Sequence, residues 1–424
     1  MPGQDGRYHS ELSRQDTPDR GGLRIDVTST IAIHPVSNAI VRVYNGTGLV
    51  EEIRTDSSGQ SGELTLEAPP REYSMEPEQP QPFSQYRVQV EAEGYRPVEV
   101  TDVEVFPEEL SIQPVRMEPL ETAQTEGGEN IVVPPNTLWG DYPPKIAENE
   151  IRPVSESGEI VLSRVAIPEY VVVHDGAPSD ATAKDYYVRY RDYIKNVASG
   201  EIYSTWPDAT LRANILAIMS FTMNRVYTEF YRNKGYDFTV TSSTAYDQKW
   251  SYGRTIFYNI SQIVDEMFNN YLSRPNVIQP ILTQYCDGQQ VSCPNWLSQW
   301  GSKYLGDQGY RSIEILRYYY GSDMYINSAE EISGIPASWP GEDLTVGSTG
   351  SKVRQMQEQL AVIARSYPAI PSVSTDGIYG DRTRQAVEAF QKIFDLPVTG
   401  IVDYPTWYKI SQIYVGVSRI AELN

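Results

Sequence analysis

One carboxylate stands out in residues 192–221, "DYIKNVASGEIYSTWPDATLRANILAIMSF", because its neighbours are apolar or small. This residue, Glu201, lies just before a predicted long buried helix, where acidic side chains are uncommon. A carboxylic acid donates a proton at neutral pH only when its pKa is raised toward about 6, usually by apolar surroundings. Ile202 and Trp206 are suited to provide such surroundings. Glu201 is therefore a candidate general acid; helix capping or a buried pair with Arg212 is the structural alternative.

Composition and charge exclude several classes of function. The chain has 424 residues and a net charge of −21, and residues 1–165 carry 29 acidic but only 13 basic side chains. Without a basic cluster to release counterions, we expect no nucleic-acid partner. No run of 18 apolar residues occurs, so we expect no membrane insertion. The three histidines, His9, His34 and His174, lie far apart, and we expect neither a metal nor another cofactor.

The first part of the chain is predicted to contain a leader, a β-sandwich and a linker. Residues 1–22 are polar and lack the apolar segment of a signal peptide, which predicts a disordered leader. Residues 23–118 alternate apolar and polar side chains in short runs, which predicts an antiparallel β-sandwich. Residues 119–166 are rich in proline and charge and predict an exposed linker with a processing site. We place the scissile bond between about Glu150 and Pro168.

The remainder divides into a central α+β domain, residues 167–335, and a C-terminal unit, residues 343–424. After "STWP", apolar residues recur at i+3 and i+4 and predict a long buried helix. Helices separated by glycine-rich turns predict a compact three-helix module at the C-terminus. Cys286 and Cys293 either close a small loop or stay as thiols, and the sequence leaves both states open.

Two parts of the chain resemble known binding modules. The strand order around "HPVSNAIVRVYN" and "YRVQVEAEGYRP" resembles the carboxypeptidase-regulatory and transthyretin-like domains. The segments "VGSTGSKVRQMQEQL", "DGIYGDRTRQAVEAFQ" and "GIVDYPTW" resemble the peptidoglycan-binding domain 1 family. This second resemblance implies a shallow groove for cell-wall glycan or stem peptide at Asp376, Tyr379, Phe390 and Gln391. The structural alternative is that these residues make turns and core.

The central domain resembles the SpoIID family of lytic transglycosylases. The blocks "YIKNVASGEIYSTWPDATLRANILAIMSF" and "LSQWGSKYLGDQGYRSIEILRYYYG" carry the resemblance, which implies that Glu201 is the catalytic acid. Family members that bind zinc carry Cys and His between these blocks, whereas "SSTAYDQKWSYG" has neither, so no metal is carried over. In this family one acid suffices, because the 6-hydroxyl of the substrate attacks and a 1,6-anhydro end forms.

Five further residues are candidates for substrate binding. Ser298 and Gln299 match the Ser-Gln of the family, and their alternative role is to shape the loop through backbone hydrogen bonds. Asp247 and Gln248 lie in the polar, aromatic stretch "AYDQKW", and Tyr285 lies beside a cysteine. Asp247 is also the best candidate for the second carboxylate that a hydrolase needs, with local turn bonding as its alternative.

The combination of the three regions resembles the clostridial spore cortex-lytic enzymes of the SleC group. The resemblance implies a zymogen, cortex peptidoglycan as the partner, and a subtilisin-like germination protease that removes the N-terminal part. It also implies synthesis in the mother-cell cytoplasm without a signal peptide, and deposition in the cortex and coat region of the spore. The bond cleaved would join muramic acid, or its δ-lactam, to N-acetylglucosamine.

Other functions remain open from the sequence. A hydrolase, either an N-acetylglucosaminidase or a muramidase, would act on the same glycan but leave reducing ends. A non-catalytic wall-binding or spore-coat scaffold would keep the C-terminal module and tolerate loss of Glu201. A phage- or secretion-associated lysin is a third possibility.

Overall fold

A computed structural model describes residues 18–123, 127–140, 144–151, 162–334 and 338–418. The strands are β1 (Asp19–Ser29), β2 (Ile40–Asn45), β3 (Gly48–Arg54), β4 (Leu64–Ala68), β5 (Ser84–Glu91), β6 (Val98–Val105), β7 (Leu110–Met117), β8 (Glu129–Val132), β9 (Ala166–Ile167), β10 (Tyr170–His174), β11 (Asp185–Arg189), β12 (Val240–Thr241), β13 (Ile256–Phe257), β14 (Asn270–Ser273), β15 (Tyr285–Cys286), β16 (Leu297–Ser298), β17 (Tyr325–Ser328) and β18 (Glu331–Ile332). The helices are α1 (Tyr190–Glu201), α2 (Asp208–Tyr227), α3 (Tyr258–Met267), α4 (Gln299–Asp307), α5 (Ser312–Tyr320), α6 (Ser351–Ser366), α7 (Asp381–Ile393) and α8 (Tyr404–Ser418).

The N-terminal region is a sandwich of two sheets. One sheet has the strand order β3-β2-β5-β6-β8 and the other the order β4-β1-β7-β13. Alternate side chains along β1, such as Leu23, Ile25 and Val27, are fully buried between the sheets. This is the period-2 pattern expected of strands with one face on a core. The pairing is mostly antiparallel, but β1 pairs with β7, and β6 with β8, in parallel.

The predicted leader ends earlier than expected. Residues 1–17 lie outside the described residues, but β1 already begins at Asp19, so the prediction of disorder to residue 22 is wrong for the last four residues. These residues pair with β4, from Asp19 opposite Ala68. Gly21 allows this, because a Cβ at that position would lie 2.1 Å from the carbonyl oxygen of Phe106. The first residues of β1 are therefore held by backbone pairing with β4, which their polar, glycine-rich sequence does not indicate.

The predicted linker is not an open segment where the structure describes it. Its β8 extends the five-stranded sheet beside β6, and the backbone N–H of Asn136 donates to Glu104 Oε1 at 2.8 Å. Asn136 is fully buried. Composition misled the prediction because these residues are held by partners distant in the sequence. The window for the scissile bond falls largely on residues 152–161, which lie outside the described residues, and the domain boundaries stay predictions.

The central region is α+β, with α2 almost entirely buried at its centre. Strands β11, β10 and β12 form a small sheet beside the helices. The short β13 leaves this region and pairs antiparallel with β7 of the sandwich, Ile256 opposite Ile112. Phe106 of the sandwich packs on Tyr203 and Phe257, with ring centroids 5.4 and 5.1 Å apart. The sandwich and the central region therefore share both a sheet and an aromatic cluster.

The C-terminal region contains the three helices α6, α7 and α8, as predicted. A buried ion cluster joins α8 to the central region: Asp265 of α3 accepts from Lys195 at 2.6 Å and lies 3.2 Å from Arg191 and 3.3 Å from Lys409 of α8. Arg24 of the sandwich also forms a two-pronged pair with Asp395. No helix among the described residues is long and apolar enough to cross a membrane.

Candidate active site

Glu201 is the last residue of α1, and the predicted linker caps that end of the helix. The chain turns to an extended conformation at Ile202. Asn136 Nδ2 donates to the carbonyl oxygens of Ser199 and Ile202 at 3.2 and 3.1 Å, and the N–H of Thr137 donates to the carbonyl of residue 200 at 2.9 Å. Carbonyl groups at a helix end need such partners when they are buried. The position of Glu201 therefore depends on residues outside the central region.

The carboxylate of Glu201 is completely buried and held by two donors. Its Oε1 accepts from the N–H of Lys249 at 2.6 Å, and its Oε2 accepts from the hydroxyl of Tyr285. Burial raises the pKa of Glu201, while the Lys145 ammonium and the two hydrogen bonds oppose the rise. The net direction is upward, as a general acid requires. Ile202 and Trp206 are buried as expected, but the donors were not foreseen as partners of this carboxylate.

Gln248 and Tyr285, predicted to bind substrate, lie in a hydrogen-bonded chain that ends on Glu201. Gln248 Nε2 donates to the Tyr285 hydroxyl at 3.1 Å, and Gln248 Oε1 accepts from the hydroxyls of Tyr193 and Thr222 at 3.1 and 2.8 Å. All of these side chains are buried. The result is a connected chain of hydrogen bonds that fixes the direction of the Tyr285 hydroxyl, and through it one oxygen of Glu201.

Asp247 is held by the protein rather than presented as a second carboxylate. Its carboxylate is fully buried and accepts from Arg225 Nε at 2.8 Å and from the Tyr231 hydroxyl at 2.6 Å. Its Oδ2 also accepts from the N–H and the hydroxyl of Thr241, both at 2.8 Å. Four donors occupy the acceptor sites of a carboxylate. Asp247 therefore matches its structural alternative and not the role of base or nucleophile.

Ser298 and Gln299 also shape the loop. Ser298 is the N-cap of α4, and its Oγ accepts from the N–H of Gly301 at 3.0 Å. Gln299 Nε2 donates to the backbone carbonyl of Glu201 at 3.1 Å. The structure thus brings Gln299 to Glu201, but through the backbone. Cys286 and Cys293, left open by the sequence, are joined in a disulfide next to Tyr285.

Two cations near Glu201 were missed by sequence reasoning. Lys145 of the predicted linker is buried, donates to the backbone carbonyl of Asp247, and lies 4.8 Å above the Tyr285 ring. Arg254 packs against Gly200 and pairs with Glu104 of the sandwich at 3.3 Å. Lys145 follows two prolines in a stretch that reads as exposed. No local pattern in the sequence marks it as buried.

Replacement of Tyr285 by phenylalanine is expected to raise the pKa of Glu201 further, because the charged carboxylate loses a donor. A general acid must be protonated, so activity is lost as pH rises through its pKa. If Glu201 is the general acid, the alkaline limb of the pH–rate profile of the activated protein should therefore move to higher pH in Tyr285→Phe. Tyr318→Phe, at a side chain 68% exposed, is the control and should leave the profile unchanged. An alkaline limb that moves to lower pH would contradict this arrangement.

Most of the residues predicted to bind glycan in the C-terminal module are buried. Tyr379 donates its hydroxyl to the carbonyl of Gly400 at 2.8 Å, and Phe390 and Gln391 are fully buried. Their burial favours the structural alternative, in which these residues make turns and core, and their assignment to a binding groove stays a prediction. Asp376 alone is exposed, and its Oδ1 accepts from the N–H of Ile378 at 2.9 Å in the turn.

Gln391 holds the turn that follows α7. Its Nε2 donates to Ile401 O at 2.9 Å and its Oε1 accepts from the N–H groups of Thr399 and Gly400, both at 2.9 Å. Gln391→Ala should lower the free energy of unfolding by about 2–4 kcal/mol, because buried donors and acceptors lose their partners. Urea unfolding measures this, with the exposed Glu358→Ala as control. Wild-type stability together with lost binding to cell-wall sacculi would instead make Gln391 a ligand contact.

Comparison with known proteins identifies the C-terminal module. Residues 349–410 match the family model described as "Putative peptidoglycan binding domain". The match supports peptidoglycan as the partner of this module and an association of the protein with the cell wall. No curated protein matches the chain in sequence.

Solved structures show short likenesses. The N-terminal domain of SleB is 25% identical with a TM-score of 0.16, over 18% of this chain and 99% of that one. The minor pilin GBS52 of Streptococcus agalactiae is 12% identical with a TM-score of 0.19, over 26% and 49% of the two chains. Transthyretin from Sparus aurata is 16% identical with a TM-score of 0.16, over 23% and 88%. At such scores these likenesses carry no conclusion about function.

Proposed function

We propose that the protein is a lytic transglycosylase of the spore cortex, made as a zymogen. The observation that carries this proposal is Glu201, a buried carboxylic acid with a raised pKa that accepts hydrogen bonds from Lys249 and Tyr285. It lies in the block that resembles the SpoIID family. The C-terminal module would anchor the protein to peptidoglycan, in keeping with the matched family model. The spore and the activating protease rest on resemblance to the cortex-lytic enzymes of the SleC group.

The chemistry needs one group that gives and takes a proton. Glu201 protonates the glycosidic oxygen as the bond from the anomeric carbon of muramic acid breaks, and the N-acetylglucosamine oxygen leaves as a hydroxyl. The 6-hydroxyl of the same muramic residue then attacks the anomeric carbon. Its proton returns to the Glu201 carboxylate, and a 1,6-anhydro end forms without consumption of water. The engagement of Asp247 by four donors supports this route over hydrolysis.

The state described is consistent with a latent enzyme. Glu201 is fully buried, and residues of the predicted linker and the sandwich contact the chain on either side of it. Trp206 Nε1 donates to the carbonyl of Ser74 at 2.9 Å, and Arg254 pairs with Glu104. We place activation at a cut between about Glu150 and Pro168, followed by release of the N-terminal fragment.

Product analysis tests the proposal. The chain is given a specific protease site between Ile151 and Leu162, cut, and separated from its N-terminal fragment by gel filtration. It is then incubated with purified cortex peptidoglycan, and the released muropeptides are identified by mass spectrometry. Anhydro-muramic ends support a transglycosylase, and reducing ends would show a hydrolase. No release by a folded fragment that still sediments with peptidoglycan would leave the scaffold function.

A further inference from the structure

Residues 144–151 lie along the central region, and Lys145 near their start lies beside Glu201. The N–H of Ile146 donates to Ala245 O at 2.9 Å, and the N–H of Leu282 donates to Glu150 O at 2.8 Å. The side-chain amide of Gln284 makes two hydrogen bonds to this segment. Its Oε1 accepts from the N–H of Glu148 at 2.9 Å, and its Nε2 donates to Ile146 O at 2.7 Å. A short peptide is thus docked in a groove through its backbone.

The start of the segment closes the groove at the acid. The Lys145 side chain is buried between the Phe221 and Tyr285 rings, at 5.6 and 4.8 Å from their centroids. Its ammonium group donates to the backbone of Asp247. It also stabilises the ionised form of Glu201, which is the form that donates no proton. Lys145 therefore both fills the space beside the acid and opposes its protonation.

Beyond Lys145, two carboxylates of the segment each pair with an arginine of the groove. Arg225 donates from Nη1 and Nη2 to Glu148 at 3.0 and 2.6 Å. Arg274 donates from Nε and Nη2 to Glu150, both at 2.7 Å. Such two-pronged pairs are the strong and geometrically selective form of carboxylate recognition. Glu148 and Glu150 follow Lys145 by three and five residues, a reach of at most about 18 Å of extended chain, so both pairs lie within that distance of the lysine beside Glu201.

Both arginines bind more than one carboxylate: Arg274 also pairs with Asp323 at 2.5 Å, and Arg225 with Asp247. Arg225 is only 1% exposed, and a cleft of about 410 Å³ opens beside it and Glu148. Asp247 binds the Nε of Arg225, and Nη2 donates to the carbonyl of Tyr246 at 3.2 Å as well as to Glu148. Peptidoglycan differs from uncharged glycans in carrying carboxylates on its stem peptides. The guanidinium groups of Arg225 and Arg274 are suited to bind the carboxylates of these stem peptides.

We infer that Arg225 and Arg274 are carboxylate-binding positions of the substrate groove, and that Glu148 and Glu150 occupy them as an internal substitute until residues 144–151 leave. The inference rests on the proposed function, and it adds the substrate feature that is recognised and the element that blocks the groove. The enzyme then selects glycan that carries peptide carboxylates. Glycan without stem peptides binds poorly.

Amide hydrogen exchange on the full chain tests the blocking element without relying on cleavage. In Glu148→Gln/Glu150→Gln, exchange at the amides of Ile146, Glu148 and Leu282 should rise at least about tenfold, since two charge-assisted pairs are lost. The matched control is Glu52→Gln/Glu91→Gln, which removes both carboxylates from Arg42 on the sandwich surface and should change none of these amides. Unchanged exchange in the groove variant would overturn the inference.

The same variant tests the recognised ligand. Disaccharide-tetrapeptide fragments of peptidoglycan should restore protection at residues 282–285, and the same disaccharide without its peptide should not. The further change Arg274→Gln should weaken this protection about tenfold. Equal protection by both probes, or protection that is independent of Arg274, would refute carboxylate recognition. Failure of the proposed function is a separate outcome: groove protection by the peptide-bearing probe, but no bond cleavage after activation.

Discussion

In the C-terminal fragment, after the cut and the removal of the N-terminal fragment, Glu201→Gln is expected to lower the rate of glycan cleavage by about 10²–10⁴-fold. This is the usual contribution of a general acid. The amide oxygen of glutamine can still accept from the N–H of Lys249 or the hydroxyl of Tyr285, so the local structure is largely kept. Only the capacity to donate a proton is lost. The rate is measured from muropeptides released from cortex peptidoglycan, and the fold from circular dichroism and thermal unfolding.

Glu266→Gln is the matched control for this change. Glu266 lies in the same central region, but its side chain is 59% exposed and pairs with Arg212 at the surface. We expect its rate to remain within about twofold of the parent, because exposed ion pairs contribute little. Loss of activity in Glu266→Gln, or near-parental activity in a folded Glu201→Gln variant, would remove Glu201 from the role of acid.

Asp265→Asn is expected to give the largest loss of stability. The change leaves the cations of Lys195, Arg191 and Lys409 buried without their shared anion. Removal of one side of a buried ion pair costs about 3–5 kcal/mol. Urea unfolding of the full chain should show this loss, and Asp208→Asn, whose side chain is 68% exposed beside Arg212, should stay within about 1 kcal/mol of the parent.

The same cluster predicts a dependence on pH. Burial opposes ionisation of Asp265, yet Lys195, Lys409 and Arg191 together hold its pKa well below the usual range. Its contribution to stability is therefore complete above the pKa of an unfolded aspartate, about 3.9, and is lost as pH falls toward the lower native value. Stability should fall more steeply between pH 4 and pH 2 in the parent than in Asp265→Asn. Parallel curves would contradict the cluster.

Local patterns predicted the parts of the fold that are stabilised locally. Alternation along β1 and the i+3/i+4 spacing in α2 each reflect one face on a core, and both elements were expected. Glu201 was found because an acidic residue among apolar neighbours is a local anomaly. The resemblance to known families added its chemistry, which no spacing in the sequence contains.

Contacts between distant segments were not predictable in this way. Lys145 donates to the backbone carbonyl of Asp247, 102 positions away. Gln299 donates to that of Glu201, 98 positions away. A proline-rich stretch gives no sign of such partners, so the sequence predicts an exposed linker over residues 119–166. Gln391 is the converse case. A glutamine in a family motif suggested ligand contact, whereas its five hydrogen bonds close a turn of the module itself.

The strand that the central region lends to the sandwich has a consequence for the timing of activation. Strand β13 completes the sheet beside β7, and Phe257 in it packs on Phe106. In the proposed zymogen, a single cut between about Glu150 and Pro168 would therefore yield a nicked heterodimer, whose two pieces share a sheet and an apolar contact. Dissociation of that heterodimer, and not peptide-bond cleavage, would set the lag before activity. The lag would then lengthen with protein concentration, as rebinding of the released fragment becomes faster.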